Sequence, residues 1–226
     1  MTSLDDPKVS ALLTRLHGEA RGDVKYFLRA APGMALNWMR GRRPFEALER
    51  HLANAFIPVE PAAGRLLYIT ARVLRARTVV EFGTSFGIST IYLAAAVRDN
   101  GGGRVIGTEL EPRKRERALA HLAEAGLADV VEVRLGDARE TLARDLDGPV
   151  DLLFLDGWKD LYIEILELIT PRLRPGAVVL ADNVRTFKKT LAPFVERLQS
   201  GRHGFVSATL PFFSGLEYAV RLDDAA

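Results

Sequence analysis

The chain contains no cysteine, which excludes disulfides and thiolate metal centres and fits a reducing compartment. It also lacks a charge of one sign. Lys and Arg number 31 against 29 Asp and Glu, a formal balance of +2, so no field draws it to nucleic acid. No apolar run reaches the length that crosses a bilayer. The opening residues Met1-Thr2-Ser3-Leu4-Asp5-Asp6 have neither the basic nor the apolar region of a signal peptide. The expectation is a cytoplasmic protein with no membrane and no nucleic-acid partner. Internal repeats and low-complexity tracts are missing too. What is there suits a globular unit with a real core: 226 residues, 48% hydrophobic and 27% charged.

Ahead of position 76 nothing reads as a strand. Helical spacing of apolar residues marks about 8–18, 44–56 and 61–74, with Pro61 in the first turn of the last. Ala31-Pro32-Gly33 is a break. Beyond position 76 the pattern alternates. Strands are expected at 78–82, 104–108, 130–135, 150–155 and 177–180. Helices are expected at 89–97, 112–124, from 139, at 161–173 and at 191–198. Two closing strands, 205–210 and 217–222, have too short a connection for a helical crossover and should pair antiparallel. This predicts an α/β, Rossmann-like doubly wound sheet with helices on both faces. A helical cap or extension would occupy 1–75 and the core 76–226, within one domain overall.

Two stretches carry most of the chemistry. Leu155-Asp156-Gly157-Trp158-Lys159-Asp160 and Ala181-Asp182-Asn183 each follow an apolar run. Each places oxygen ligands past the carboxyl end of a buried strand, where open parallel sheets form their ligand crevice. Asp156, Asp182 and the Asn183 amide oxygen suit a hard cation such as Mg²⁺, and Lys159 is near enough in sequence to act as a base. Ordinary turn chemistry explains either stretch alone.

Glu81-Phe82-Gly83-Thr84-Ser85-Phe86-Gly87 follows the first strand and opens a helix. Glycine lets a ligand approach the backbone, and the helix start offers free N–H groups. The spacing is not that of a dinucleotide fingerprint. A carboxylate at Glu81 would repel phosphate and suits an ammonium group instead, a character that S-adenosylmethionine has. Glu109, ending the second strand, can hold ribose hydroxyls, and Gly136-Asp137, ending the third, can meet adenine. Gly83-Thr84-Ser85-Phe86-Gly87 also fits a hydrolase nucleophile elbow, with Asp182 and His203 as its later acid and histidine. Such an elbow follows several strands, whereas only helical sequence precedes this one. His17, His51 and His121 fall on expected helices as surface or packing residues.

The chain resembles the metal-dependent class I S-adenosylmethionine O-methyltransferases, catechol O-methyltransferase most of all. Phe154-Leu155-Asp156-Gly157-Trp158-Lys159-Asp160-Leu161-Tyr162, Leu180-Ala181-Asp182-Asn183-Val184 and Ser214-Gly215-Leu216-Glu217-Tyr218 echo that family in order and approximate spacing. The likeness runs from about Val59 to the C-terminus and implies a seven-stranded sheet with a reversed final hairpin. It implies that Asp156, Asp182 and Asn183 ligate Mg²⁺ or another divalent cation. Lys159 would take the hydroxyl proton and Glu217 would hold the neighbouring hydroxyl. Glu81, Gly83 and Ser89 would surround the methionine part, with Val59 at the entrance. Glu109 would hold the ribose, while Asp137, Ala138, Arg139, Trp158 and the Asp156 loop would lie near adenine or sulfonium.

The expected activity is Mg²⁺-assisted methyl transfer to a small ortho-dihydroxy aromatic. Phe187, Phe212 and Phe213 are candidate walls for that acceptor. A larger acyl-CoA-linked phenol, met by Arg40, Arg42 and Arg43, is the alternative, as is a cofactor-binding protein without methyl transfer or an enzyme acting on RNA or protein. Met34, Leu36, Trp38 and Met39 are candidates for a homodimer contact. Two departures stand out. Gly157 replaces a histidine that lies near adenine in the animal catechol enzyme, which loosens the expected cofactor contacts, and the segment 185–189 differs.

Overall fold

A computed structural model describes residues 2–21, 59–146, 148–212 and 214–222. Two helices come first, α1 (Pro7–Arg21) and α2 (Pro61–Val73). The alternating part begins with β1 (Thr78–Phe82), α3 (Ile88–Asp99), β2 (Arg104–Glu109) and α4 (Pro112–Glu124). It continues with β3 (Val131–Leu135), α5 (Ala138–Thr141), β4 (Val150–Leu155), α6 (Tyr162–Ile169), β5 (Leu173–Asp182) and α7 (Lys188–Gln199). The last two strands are β6 (Phe205–Leu210) and β7 (Leu216–Arg221). The seven strands lie in the order β3-β2-β1-β4-β5-β7-β6, and only β7 runs antiparallel to its neighbours. The strand order reverses between β1 and β4, which opens a crevice past their carboxyl ends.

Alternation along the strands builds two cores. Leu152, Phe154, Val178 and Leu180 face one side of the sheet with residues of α1, α2 and α3. Leu153, Leu155, Val179 and Ala181 face the other side with α6 and α7. Strands covered on both faces read as nearly continuous apolar runs, as β1 and β4 do. Helix α3 is buried over ten consecutive residues, Ile88–Val97, because α2 packs on its outer side. A helix in that position must be apolar all round, and the run Ile91-Tyr92-Leu93-Ala94-Ala95-Ala96-Val97 satisfies it. In α1, Val9, Leu12, Leu13 and Leu16 join the same core, so α1 packs directly on it. Asp99 fastens this corner, accepting from Ser3 N at 3.0 Å, Ser3 Oγ at 2.6 Å and Tyr68 Oη at 2.6 Å.

One boundary differs from expectation. The helix predicted over 161–173 ends at Ile169, and Thr170–Arg172 is a 3₁₀ turn. Strand β5 then starts at Leu173 rather than 177, pairs Leu173 with Val150, shifts register, and resumes at Leu152 and Val178. Pro171 and Pro175 account for both changes, since proline lacks the N–H that a helix or ladder needs. The helix expected at 44–56, and the candidates Met34, Leu36, Trp38, Met39, Arg40, Arg42, Arg43, His51 and Phe213, lie outside the described residues. Among the described residues no helix is long and apolar enough to cross a membrane.

Candidate active site

The paired register of β4 and β5 sets Leu155 against Ala181. Asp156 and Asp182 therefore emerge side by side at the sheet's carboxyl edge. Asp156 is largely buried; burial chiefly pushes its carboxyl up to about 7, with Lys159 pulling it down and the Asp182 charge adding to the rise. Lys159 sits on a 3₁₀ turn and donates to Asp156 Oδ1 at 3.0 Å and to Tyr162 Oη at 2.9 Å. Asp182 Oδ1 accepts from Asn183 N at 2.7 Å and Ser214 Oγ at 2.6 Å, and Oδ2 accepts from Asn183 Nδ2 at 3.1 Å. The last bond sets the amide nitrogen of Asn183 against Asp182, so this side chain would have to turn its amide over to offer an oxygen beside that carboxylate. Asn183 has φ of 70°, a left-handed conformation that asparagine tolerates better than most residues.

Two adjacent carboxylates with a single lysine between them are short of positive charge, and the amide, once turned, adds a third hard oxygen, so the set fits a divalent cation. Among the described residues no three acids or histidines are grouped to hold a metal; the third oxygen here is an amide.

The second half of the site lies past β1 and β2. Glu81 is fully buried, and that burial raises its carboxyl above the usual range. Oε2 accepts from Thr84 Oγ1 at 3.0 Å and Thr90 Oγ1 at 2.5 Å. Oε1 is buried with no partner. A buried orphan oxygen of an acid needs a donor, and an ammonium group supplies one. Ser89 adjoins it on the first turn of α3. Glu109 is fixed by Ser85 N on Oε2 and Glu111 N on Oε1, both at 2.8 Å, which leaves lone pairs for a ribose. Sequence reasoning did not single out Leu110 and Leu135, which flank this end of the crevice. They are 55% and 44% exposed, at the ends of β2 and of the edge strand β3, and suited to a flat base. Their signal in the sequence was position alone: each stands where a strand runs out.

The two halves touch. Gly83 has φ of 99° and its Cα faces Gly157, to whose Cα an added Cβ would come within 2.7 Å. Gly157 in turn is demanded by Phe82, since a Cβ there would lie 2.6 Å from the ring. The Phe82 ring thus fills the space a side chain at 157 would take. Gly157→Ala should cost about 1–3 kcal/mol by overpacking, and Phe82→Leu in the same chain should recover most of it. Thermal denaturation of the three proteins checks this, and a single variant as stable as the parent would refute it.

The other expected residues are placed as follows. Glu217 pairs with Ala181, one position back from Asp182, so its side chain leaves the sheet by the opposite face. There its carboxylate accepts from Ser207 Oγ at 2.7 Å, Gln199 Nε2 at 2.9 Å and Thr209 Oγ1. The structure does not bring it into the acidic cluster. Asp137 caps α5 and is engaged by Arg139, whose cation holds its carboxyl below the usual range. Arg139 also reaches Glu164 at 3.5 Å, and Ala138, behind this pair, is buried. Val59 is buried among core residues that include Phe86 instead of standing open at an entrance. Trp158 remains 36% exposed beside Lys159.

Comparison with known proteins agrees with this geometry. Residues 80–184 match the family described as "Methyltransferase domain". A catechol O-methyltransferase of Mycobacterium tuberculosis (strain ATCC 25618 / H37Rv) is 39% identical over 128 residues, which are 57% of this chain and 57% of that protein; the chain thus spans less than two thirds of that relative's length. A protein of Mycobacterium sp. (strain KMS) that carries the name O-methyltransferase is 37% identical over 78% of this chain and 74% of its own. Among solved structures, the O-methyltransferase TomG from Streptomyces achromogenes, in complex with SAM, superposes with a TM-score of 0.67. It is 30% identical over 74% of this chain and 82% of that one.

Proposed function

The chain belongs to the O-methyltransferases, and from that premise we propose that it methylates one hydroxyl of a small ortho-dihydroxy aromatic, using S-adenosylmethionine and a divalent cation. The observation that carries this reading is Lys159 held on Asp156 beside Asp182, on the loop that touches the Glu81–Gly83 turn. When bound, S-adenosylmethionine would supply an electrophilic methyl group, and the cation would lower the pKa of a chelated phenol, which alone titrates near 10.

The chain's own residues do the rest. Glu81 takes the ammonium of the cofactor on its orphan oxygen, and Glu109 takes the ribose. Leu110 and Leu135 flank the base. Asp156, Asp182 and the Asn183 amide oxygen would hold the cation, and with it the two hydroxyls. Lys159 removes the proton from the hydroxyl that attacks. Trp158, on the same loop as Lys159, would lie near the adenine or sulfonium of the cofactor. Positioning of two reactants in one crevice supplies much of the rate.

The test is a panel of ortho-dihydroxy and monohydroxy aromatics with labelled S-adenosylmethionine, each with Mg²⁺ and with EDTA. Transfer is expected only to the ortho-dihydroxy compounds and only without EDTA. Equal transfer in EDTA would remove the cation from the reading. Transfer to monohydroxy compounds at the same rate would remove the chelated acceptor.

A further inference from the structure

Tyr162 is the largest fully buried side chain of the second core and has no part in the roles above. Its hydroxyl sits where three strands of the argument meet. It receives a hydrogen from Lys159 Nζ at 2.9 Å. It donates its own to Leu155 O at 2.9 Å and Asp182 O at 3.2 Å, the final carbonyls of β4 and β5. Phe82 and Phe194 hold the ring edge-on, with centroids at 6.3 and 5.4 Å.

A phenol has one hydrogen. The two carbonyls take it, so the face turned to Lys159 presents only a lone pair. Lys159 thus has two fixed acceptors, Asp156 Oδ1 and Tyr162 Oη. An ammonium carries three hydrogens and a neutral amine two. With two committed, one position remains, on an amine that also lies 5.8 Å from the centre of the Phe187 ring. We propose that Tyr162 is a positioning residue: by accepting from Lys159 while its own hydrogen is held by the strand ends, it keeps the lysine's reactive position aimed into the cleft. Were the hydroxyl free to turn, it would donate to the amine and occupy the lone pair that the reaction needs. Burial and the nearby charges of Asp156 and Asp182 push the phenol pKa well up, so the hydrogen stays in place.

The inference rests on Lys159 being the base, and a double-mutant cycle tests both. Tyr162→Phe keeps the ring and should lower kcat about 10- to 100-fold, the cost of a misplaced reacting group, with KM for S-adenosylmethionine within about twofold. In a Lys159→Met background the same change should cost nothing further. An equal loss in both backgrounds would mean a merely structural tyrosine and would overturn the proposal. A second readout needs no activity. In a spectrum of ¹⁵N-lysine-labelled chain, the Lys159 ammonium, identified by its loss in Lys159→Met, should exchange slowly with water and become fast in Tyr162→Phe. Fast exchange in the unaltered chain, or an unchanged signal in Tyr162→Phe, overturns the proposal even if the variant is poorly folded in assay. If the unaltered chain transfers no methyl group but shows the slow signal and its loss, the function reading fails and the positioning of Lys159 stands.

Discussion

Replacing Lys159 by methionine is expected to lower kcat by about 10²–10⁴-fold, the range over which a positioned general base acts. Methionine keeps the apolar stem and removes the ammonium group. The loss should fall on turnover, because Lys159 donates to Asp156 and Tyr162 and to none of the residues around Glu81 or Glu109. Isothermal titration with S-adenosylmethionine should accordingly return an affinity within about twofold of the parent, since no contact made in that half of the crevice changes. A large loss of cofactor affinity with kcat preserved would place Lys159 in the binding of the cofactor and vacate the position of base.

The second large effect is expected at Glu81. Glu81→Gln should weaken S-adenosylmethionine binding roughly 100-fold or more, because removing one partner of a buried ion pair costs about 3–5 kcal/mol. The same substitution should stabilise the cofactor-free protein. Glu81 is buried with one oxygen unpartnered, and that burial raises its pKa. The sign follows from linkage. A carboxyl whose folded pKa is raised contributes fully below its unfolded pKa and loses that contribution as pH rises through the folded value. Glutamine does not ionise, so the variant's advantage should be smallest in acid and grow toward neutral pH. Glutamine leaves the orphan position with an unpartnered NH2 in place of the oxygen, so the gain comes from the buried charge alone and is read at roughly 2–4 °C in Tm per kcal/mol for a chain of this size. Melting curves across pH with and without cofactor decide it. A variant less stable than the parent at neutral pH without cofactor, or equal in affinity, would exclude an ammonium partner for Glu81.

Much of this was legible beforehand, for identifiable reasons. Strands β1, β4 and β5 announce themselves as apolar runs because both their faces are covered. The acids Asp156 and Asp182 follow from where those runs stop. Glu81 was legible because a carboxylate beside a glycine turn contradicts phosphate binding. What was not legible depends on the folded arrangement, beginning with register. That Glu217 leaves the sheet by the far face depends on its pairing with Ala181 instead of Asp182, and a one-residue difference of this kind reverses a side chain. Asp137 and Arg139 were taken separately, though two residues apart they cap and pair with each other. Tyr162 reads as an ordinary core aromatic, and only the folded chain brings its hydroxyl to two carbonyls 7 and 20 residues away.

Helix α3 bears on how such a protein can change over time. Its ten buried residues pack against the sheet on one side and α2 on the other, and its first turn carries Ser89 and Thr90 beside Glu81. On the proposed reading, the grip on the cofactor is therefore built from the same atoms as the core, and few substitutions can alter one without damaging the other. The connections beyond the strand ends are tied less tightly: Trp158 is 36% exposed, and Phe187 only partly buries itself on the second core. New acceptors can be acquired by rewriting those connections while the methyl donor, and the machinery that holds it, is inherited unchanged.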